Sequence, residues 1–162
     1  MRKITLLACV LLFACETEQK KGTTTDNQKA DLATELLGTW EVMDISVHVP
    51  TYLGEDTTVV ESIREADWGK LYGVKPARTR YTPDGKLMRT HKNIKDELID
   101  VTHGLWRIQG DSLMVIEPNI TFAYLPHLMN DKLELKGRID WDRDGETDDD
   151  FQASYRLVSR TE

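Results

Sequence analysis

The hydrophobic pattern divides the chain into three stretches. From Ile4 to Ala14 every residue but Thr5 is apolar, and from Glu16 to Lys29 none is. From Ala30 onward the pattern is that of a folded domain. Leu32, Ala33, Leu36 and Leu37 recur at three- and four-residue spacing, which predicts a short amphipathic helix after Asn27 or Asp31, stopped by Gly38. A long strand follows. Trp40 and Val42 share one face, whereas Met43, Ile45, Val47 and Val49 continue in the opposite phase. A phase slip inside one strand predicts a β-bulge, which lets a strand bend around a barrel. Between Pro50 and Gly73 the pattern is least regular. Val59, Val60, Ile63, Ala66 and Leu71 have helical spacing after Asp56-Thr57, so a helix is expected there, with a long lid-like loop as the alternative.

Beyond Gly73 the chain reads as β structure throughout. Ala77 to Tyr81 and Lys86 to His91 flank Pro83-Asp84-Gly85, a hairpin turn in which Pro presets φ and Gly accepts φ > 0. Leu98 to Thr102 is extended. His103 to Gln109 and Ser112 to Glu117 pair through Gly110-Asp111, and Ile120 to Leu125, Lys132 to Ile139 and Phe151 to Ser159 complete the set. About eight short strands joined by tight turns predict an all-β fold, and one N-terminal helix makes an antiparallel up-and-down barrel the better fit than a sandwich.

The 162 residues carry a net charge of -7 from 21 Lys+Arg and 28 Asp+Glu. One domain is expected at that length. An acidic chain lacks the basic face that phosphate binding requires, so no nucleic-acid partner is expected.

Arg2 and Lys3 precede the apolar run, and that run is too short to span a bilayer core of ~30 Å as a helix. It reads as an export signal. Its end, Leu12-Phe13-Ala14-Cys15, resembles the lipobox of bacterial lipoproteins. The resemblance implies cleavage after residue 14 and acylation of Cys15, whose chains would anchor the protein in a bilayer at ~0.8 kcal/mol per buried CH₂. Residues 15–29 then form a solvated tether, and residues 30–162 the domain. Cys9 would leave with the signal, so no disulfide is expected. Glu16 and Glu18 resemble the acidic tags that send some lipoproteins of Bacteroidetes to the cell surface. The expected location is the outer membrane, on its periplasmic face or at the cell surface.

Three segments carry a second resemblance: the helix with Gly38-Thr39-Trp40, the Tyr81-to-Leu87 hairpin, and Gly104 to Leu113. Together with the closing run Tyr155 to Arg160 they are similar to the lipocalin-like lipoproteins of Bacteroidetes, over residues 36–160. That resemblance implies a lipocalin-like barrel and, in its closed end, Trp40 packed against a basic residue of the last strand, Arg156 or Arg160. It implies a binding protein rather than an enzyme, holding a small apolar or amphipathic ligand. The alternative is a solid barrel that meets another envelope protein and holds no small molecule.

One segment carries chemistry of its own. Seven of the eleven side chains from Asp140 to Asp150 are carboxylates, against the single Arg143. Asp140, Asp142, Asp144, Gly145 and Asp148 match a calcium loop of the form D-x-D-x-D-G-x-x-D, with Glu146 placed to offer its carbonyl. Alternate residues converge from one side of a tightening loop and supply the hard oxygens that Ca²⁺ takes at ~2.3–2.6 Å. The twelfth position, where a helical calcium loop has a bidentate Glu, is Phe151, so Asp149 and Asp150 before it would have to substitute from a strand start. A structural Ca²⁺ is expected on this reading, and a solvated Asp144-Gly145 turn on the other.

Other candidates carry less. His48, His91, His103 and His127 lack paired metal-ligand spacing. Glu97 and Asp100 near His91 and His103 have no spacing that favours acid–base work. Arg78, Arg80, Arg89 and Arg107 alternate on strands and either face water or receive an anion in a cavity.

Overall fold

A computed structural model describes residues 32–160. The export signal, Cys15, the tether and the candidate cap positions Asn27 and Asp31 lie outside the described residues. Among those described, no helix is long and apolar enough to cross a membrane.

Helix α1, described over residues 32–36, leads into β1 (Gly38–Val49). A 3-10 turn at Tyr52–Gly54, β2 (Val59–Ile63) and α2 (Asp67–Leu71) follow. Then come β3 (Arg78–Tyr81), β4 (Lys86–Lys92), β5 (Leu98–Gln109), β6 (Ser112–Glu117), β7 (Ile120–Met129), β8 (Lys132–Ile139) and β9 (Asp149–Ser159). All pairings are antiparallel, each strand from β3 to β9 pairs with the next, and β1 pairs with both β3 and β9. The result is a closed eight-stranded up-and-down barrel, β1-β3-β4-β5-β6-β7-β8-β9, with β2 as an added strand.

The added strand is the departure from the expected helix at 59–71. The edge of β1 that faces β3 over Gly38–Glu41 is left unpaired further along, and β2 takes it, Ile45↔Ile63 through Val49↔Val59. Alternation at Val59, Glu61 and Ile63 then serves a pleated edge, and only Asp67–Leu71 stays helical. The indole Nε1 of Trp68 on α2 donates to the Met43 carbonyl at 2.8 Å, and Val74–Lys75 runs beside the end of β4.

The phase slip in β1 is a bulge, marked by a register shift between Val42 and Asp44 against β9. It keeps Trp40, Val42, Val47 and Val49 all inside. The end of the barrel at which β1 starts is sealed. Tight turns at 82–85, 110–111 and 130–131 gather there, and Leu36 and Trp40, both fully buried, close it. A buried Trp contributes up to about 5 kcal/mol from area alone. The opposite end carries the 50–77 segment and the acidic loop between β8 and β9.

Candidate functional site

Toward that opposite end the barrel holds a cavity of about 600 Å³. Val42, Ile45, Phe122, Ile139 and Phe151 form apolar walls, Thr79, Arg89, Tyr124 and Tyr155 bring polar atoms, and Trp68, Trp141 and Arg143 stand at the rim. Strand alternation explains the lining. Leu87 is buried and Arg89 lies two residues on, opposite buried Thr79. On β6 the phase Leu113, Val115, Glu117 does the same.

Arg89 and Glu117 meet inside, Nη1 to Oε1 at 2.7 Å, with side chains only 27% and 14% exposed. The Arg89 Nε donates to Thr79 Oγ1 at 3.4 Å. Burial opposes the charge on Arg89, but Glu117 outweighs it and holds the guanidinium above its ordinary pKa. Burial pushes the phenols of Tyr81, Tyr124 and Tyr155 up, so all three stay protonated. His91, also lining the cavity, is held below its ordinary value by burial and by Arg89. The cavity therefore joins apolar walls to a floor with more donors than acceptors. Aromatic rings continue from floor to rim, Tyr124 to Phe151 at 5.5 Å and Phe151 to Trp141 at 6.5 Å between centroids.

The acidic loop borders the same cavity, since Asp140, Trp141 and Arg143 line both. Carboxylate oxygens of Asp140, Asp142 and Asp149 lie within 4.8 Å of one another. At an effective dielectric of ~20, unit charges at that spacing repel by about 3 kcal/mol per pair. Asp149 is 1% exposed. Its Oδ2 accepts from the Trp141 backbone N–H at 2.6 Å, while its Oδ1, like Asp140 Oδ1, is buried without a partner. Burial pushes the Asp149 carboxyl up; the Trp141 N–H opposes the rise, and Asp142 adds to it.

Of the five residues read as a calcium loop, Asp140 and Asp142 converge, joined by Asp149. The other three side chains stand outside that group. Asp144 Oδ1 accepts from the Glu146 N–H at 2.8 Å, Glu146 is exposed, and Asp148 Oδ2 accepts from Thr51 Oγ1 at 3.1 Å. The loop is tied to the segment after β1, where Leu53 N–H donates to Asp142 Oδ2, and to β2, where Trp141 Nε1 donates to Glu61 Oε2 at 2.9 Å.

At the sealed end, Trp40 Nε1 donates to the Leu36 carbonyl at 2.9 Å, and the Arg160 guanidinium lies 5.8 Å from the centre of the Trp40 ring. Arg160 also donates to the Glu35 carbonyl. Arg156 is engaged elsewhere, with Glu41 and Glu65. Arg78, Arg80 and Arg107 point outward, leaving Arg89 as the inward member of the alternating arginines. His48, His103 and His127 are exposed on separate strands. Glu97 accepts from Asn93 within the β4–β5 turn. Glu117 and the three tyrosines were not singled out from sequence, although Tyr81, Glu117 and Tyr155 each lie two residues from a buried neighbour on the same strand, Thr79, Val115 and Ala153.

No protein-family model matches the chain, and no match was found among curated proteins. Function is therefore read from the site itself.

Proposed function

We propose that this chain is an envelope lipoprotein of the lipocalin-like kind, held to the outer membrane by acylated Cys15, whose barrel binds a small amphipathic molecule. The cavity carries the reading: about 600 Å³ of largely apolar space over a floor of Arg89, Tyr124 and Tyr155, with Glu117 paired to Arg89. Apolar walls with a few convergent polar groups suit a ligand with a hydrocarbon body. Donors on the floor, the Arg89 guanidinium and the protonated phenols of Tyr124 and Tyr155, favour a polar end rich in acceptor oxygens, such as a carboxylate or an ester. The reading is one of binding, not catalysis, because Arg89, the charged side chain on the cavity floor, is already paired with Glu117. Calcium in the acidic loop serves as a structural element of the rim. A barrel acting only as an interaction module has less support, because the interior holds a cavity of about 600 Å³ rather than being filled throughout by side chains.

Native mass spectrometry of the protein extracted gently from its own envelope tests this. A bound species beyond the acylated chain is expected, and it should diminish in Arg89→Met. Recovery of the acylated chain alone, together with no saturable uptake of cis-parinaric acid, overturns the ligand.

A further inference from the structure

We infer that Asp140, Asp142 and Asp149 form a site for a hard divalent cation, calcium by its ligand chemistry, at the rim of the barrel cavity. The inference rests on the calcium part of the function proposed above and moves the site from the linear loop to a triad that spans the β8–β9 opening. Three carboxylate oxygens converge within 4.8 Å. A cluster of that kind alone is ordinary on a protein surface. What separates this one is burial: Asp149 is 1% exposed, and its Oδ1 and that of Asp140 are sealed from solvent without a hydrogen-bond partner. A native fold seldom leaves a buried carboxylate oxygen unpaired. Two such atoms in one group of three acids call for a positive partner, and Arg143, the loop's one cation, is exposed.

All-carboxylate oxygen donors select a hard ion, and the absence of Cys or His from the group disfavours zinc. Water and main-chain carbonyls would complete the roughly six to eight ligands that calcium takes. The position gives the ion a task. Asp142 is bonded to the Leu53 N–H, and Asp149 to the backbone N–H of Trp141, whose indole reaches Glu61 on β2. An ion on the triad thus fastens the start of β9, the acidic loop and the β1–β2 connection at the cavity mouth, in a domain with no disulfide.

Trp141 supplies the means of testing, because an excited indole beside the site sensitises Tb³⁺, which mimics Ca²⁺. The full acylated protein in detergent is titrated with Tb³⁺, then with Ca²⁺, and its melting temperature is read with Ca²⁺ and with chelator. Saturable emission displaced by Ca²⁺, and a melting temperature several degrees higher with Ca²⁺, are expected. Asp149→Asn and, independently, Asp140→Asn should abolish both effects, whereas Asp144→Asn and Asp148→Asn keep them. Trp141→Phe should lower the emission and leave the Ca²⁺-dependent melting shift in place. No Ca²⁺ effect in the unaltered protein overturns both the site and the calcium reading. A Ca²⁺ effect lost in Asp144→Asn and Asp148→Asn but kept in Asp140→Asn and Asp149→Asn overturns the triad and leaves a calcium loop standing.

Discussion

Arg89 and Glu117 join across the inside of the barrel although β5 lies between their strands. The intervening inward position is Gly104, where a Cβ would stand 2.6 Å from the Ile116 carbonyl and 3.5 Å from Glu117 Cγ. Lack of a side chain there lets strands β5 and β6 approach and leaves space above them for the pair. Removing one partner of a buried pair leaves an uncompensated charge, at a cost of about 3–5 kcal/mol when the site is fully sealed. This pair borders an open cavity, so about 2–3 kcal/mol is expected for Glu117→Met in urea unfolding. Arg89→Met with Glu117→Met should be less destabilising than Glu117→Met alone. A double variant as unstable as the sum of the singles would show the pair to be uncoupled.

At the sealed end Trp40 combines burial, a hydrogen bond to α1 and an arginine over its ring. Trp40→Ala should cost about 3–5 kcal/mol, the range for deleting a large core aromatic. Trp40→Phe keeps most of the volume but loses the Nε1 donor, leaving the Leu36 carbonyl short of one bond at about 1–2 kcal/mol. Arg160→Ala should cost no more than about 1 kcal/mol, as an exposed cation–π contact does. Thermal melts of the three variants check the ranking Trp40→Ala, Trp40→Phe, Arg160→Ala.

Gly38 joins α1 to β1 with φ 141°, in the region that favours glycine. A Cβ there would also run into the Ser159 carbonyl of β9. Gly38→Ala therefore meets both backbone strain and overlap with main chain that cannot rotate away, and about 2–4 kcal/mol of destabilisation is expected. A melting temperature unchanged by Gly38→Ala would mean that the helix–strand junction is not fixed as described.

The barrel was legible in the chain because strand alternation and turn chemistry agree. The β6 and β8 boundaries, the Pro83-Asp84-Gly85 turn and the β1 bulge all follow from local signals. At residues 59–71 local spacing misled. Val59, Val60 and Ile63 fit a helix as well as a strand, and the deciding factor is a free edge on β1 that no local pattern reveals. The cavity floor was half legible. Arg89 was noticed as one of four alternating arginines, but only its phase with buried Leu87 separates it from Arg78 and Arg80, which face water. In the acidic loop, spacing implied ligands along one turn. Pairing of Ile139 with Asp149 instead brings the start of β9 against the end of β8, so Asp149 joins Asp140 and Asp142.

Acid sensitivity should trace to Glu41. Its carboxylate is buried and bridges Arg156, at 2.5 Å from Nη2, and Arg78, at 2.6 Å from Nε. Burial alone would raise its pKa; Arg156 and then Arg78 outweigh that and hold it below the ordinary 4.5. The folded chain thus binds this proton less readily than the unfolded chain, and unfolding in acid takes the proton up. The stabilisation is complete above pH 4.5, the unfolded value, and drains away as pH falls through the lower folded value. Both arginines are about half exposed, so salt should weaken the effect. Glu41→Gln should melt at a lower temperature near neutrality, and the gap from the unaltered protein should narrow below pH 4.5 and in high salt. A gap that holds constant from neutrality down through that range would assign the loss in Glu41→Gln to packing and not to charge.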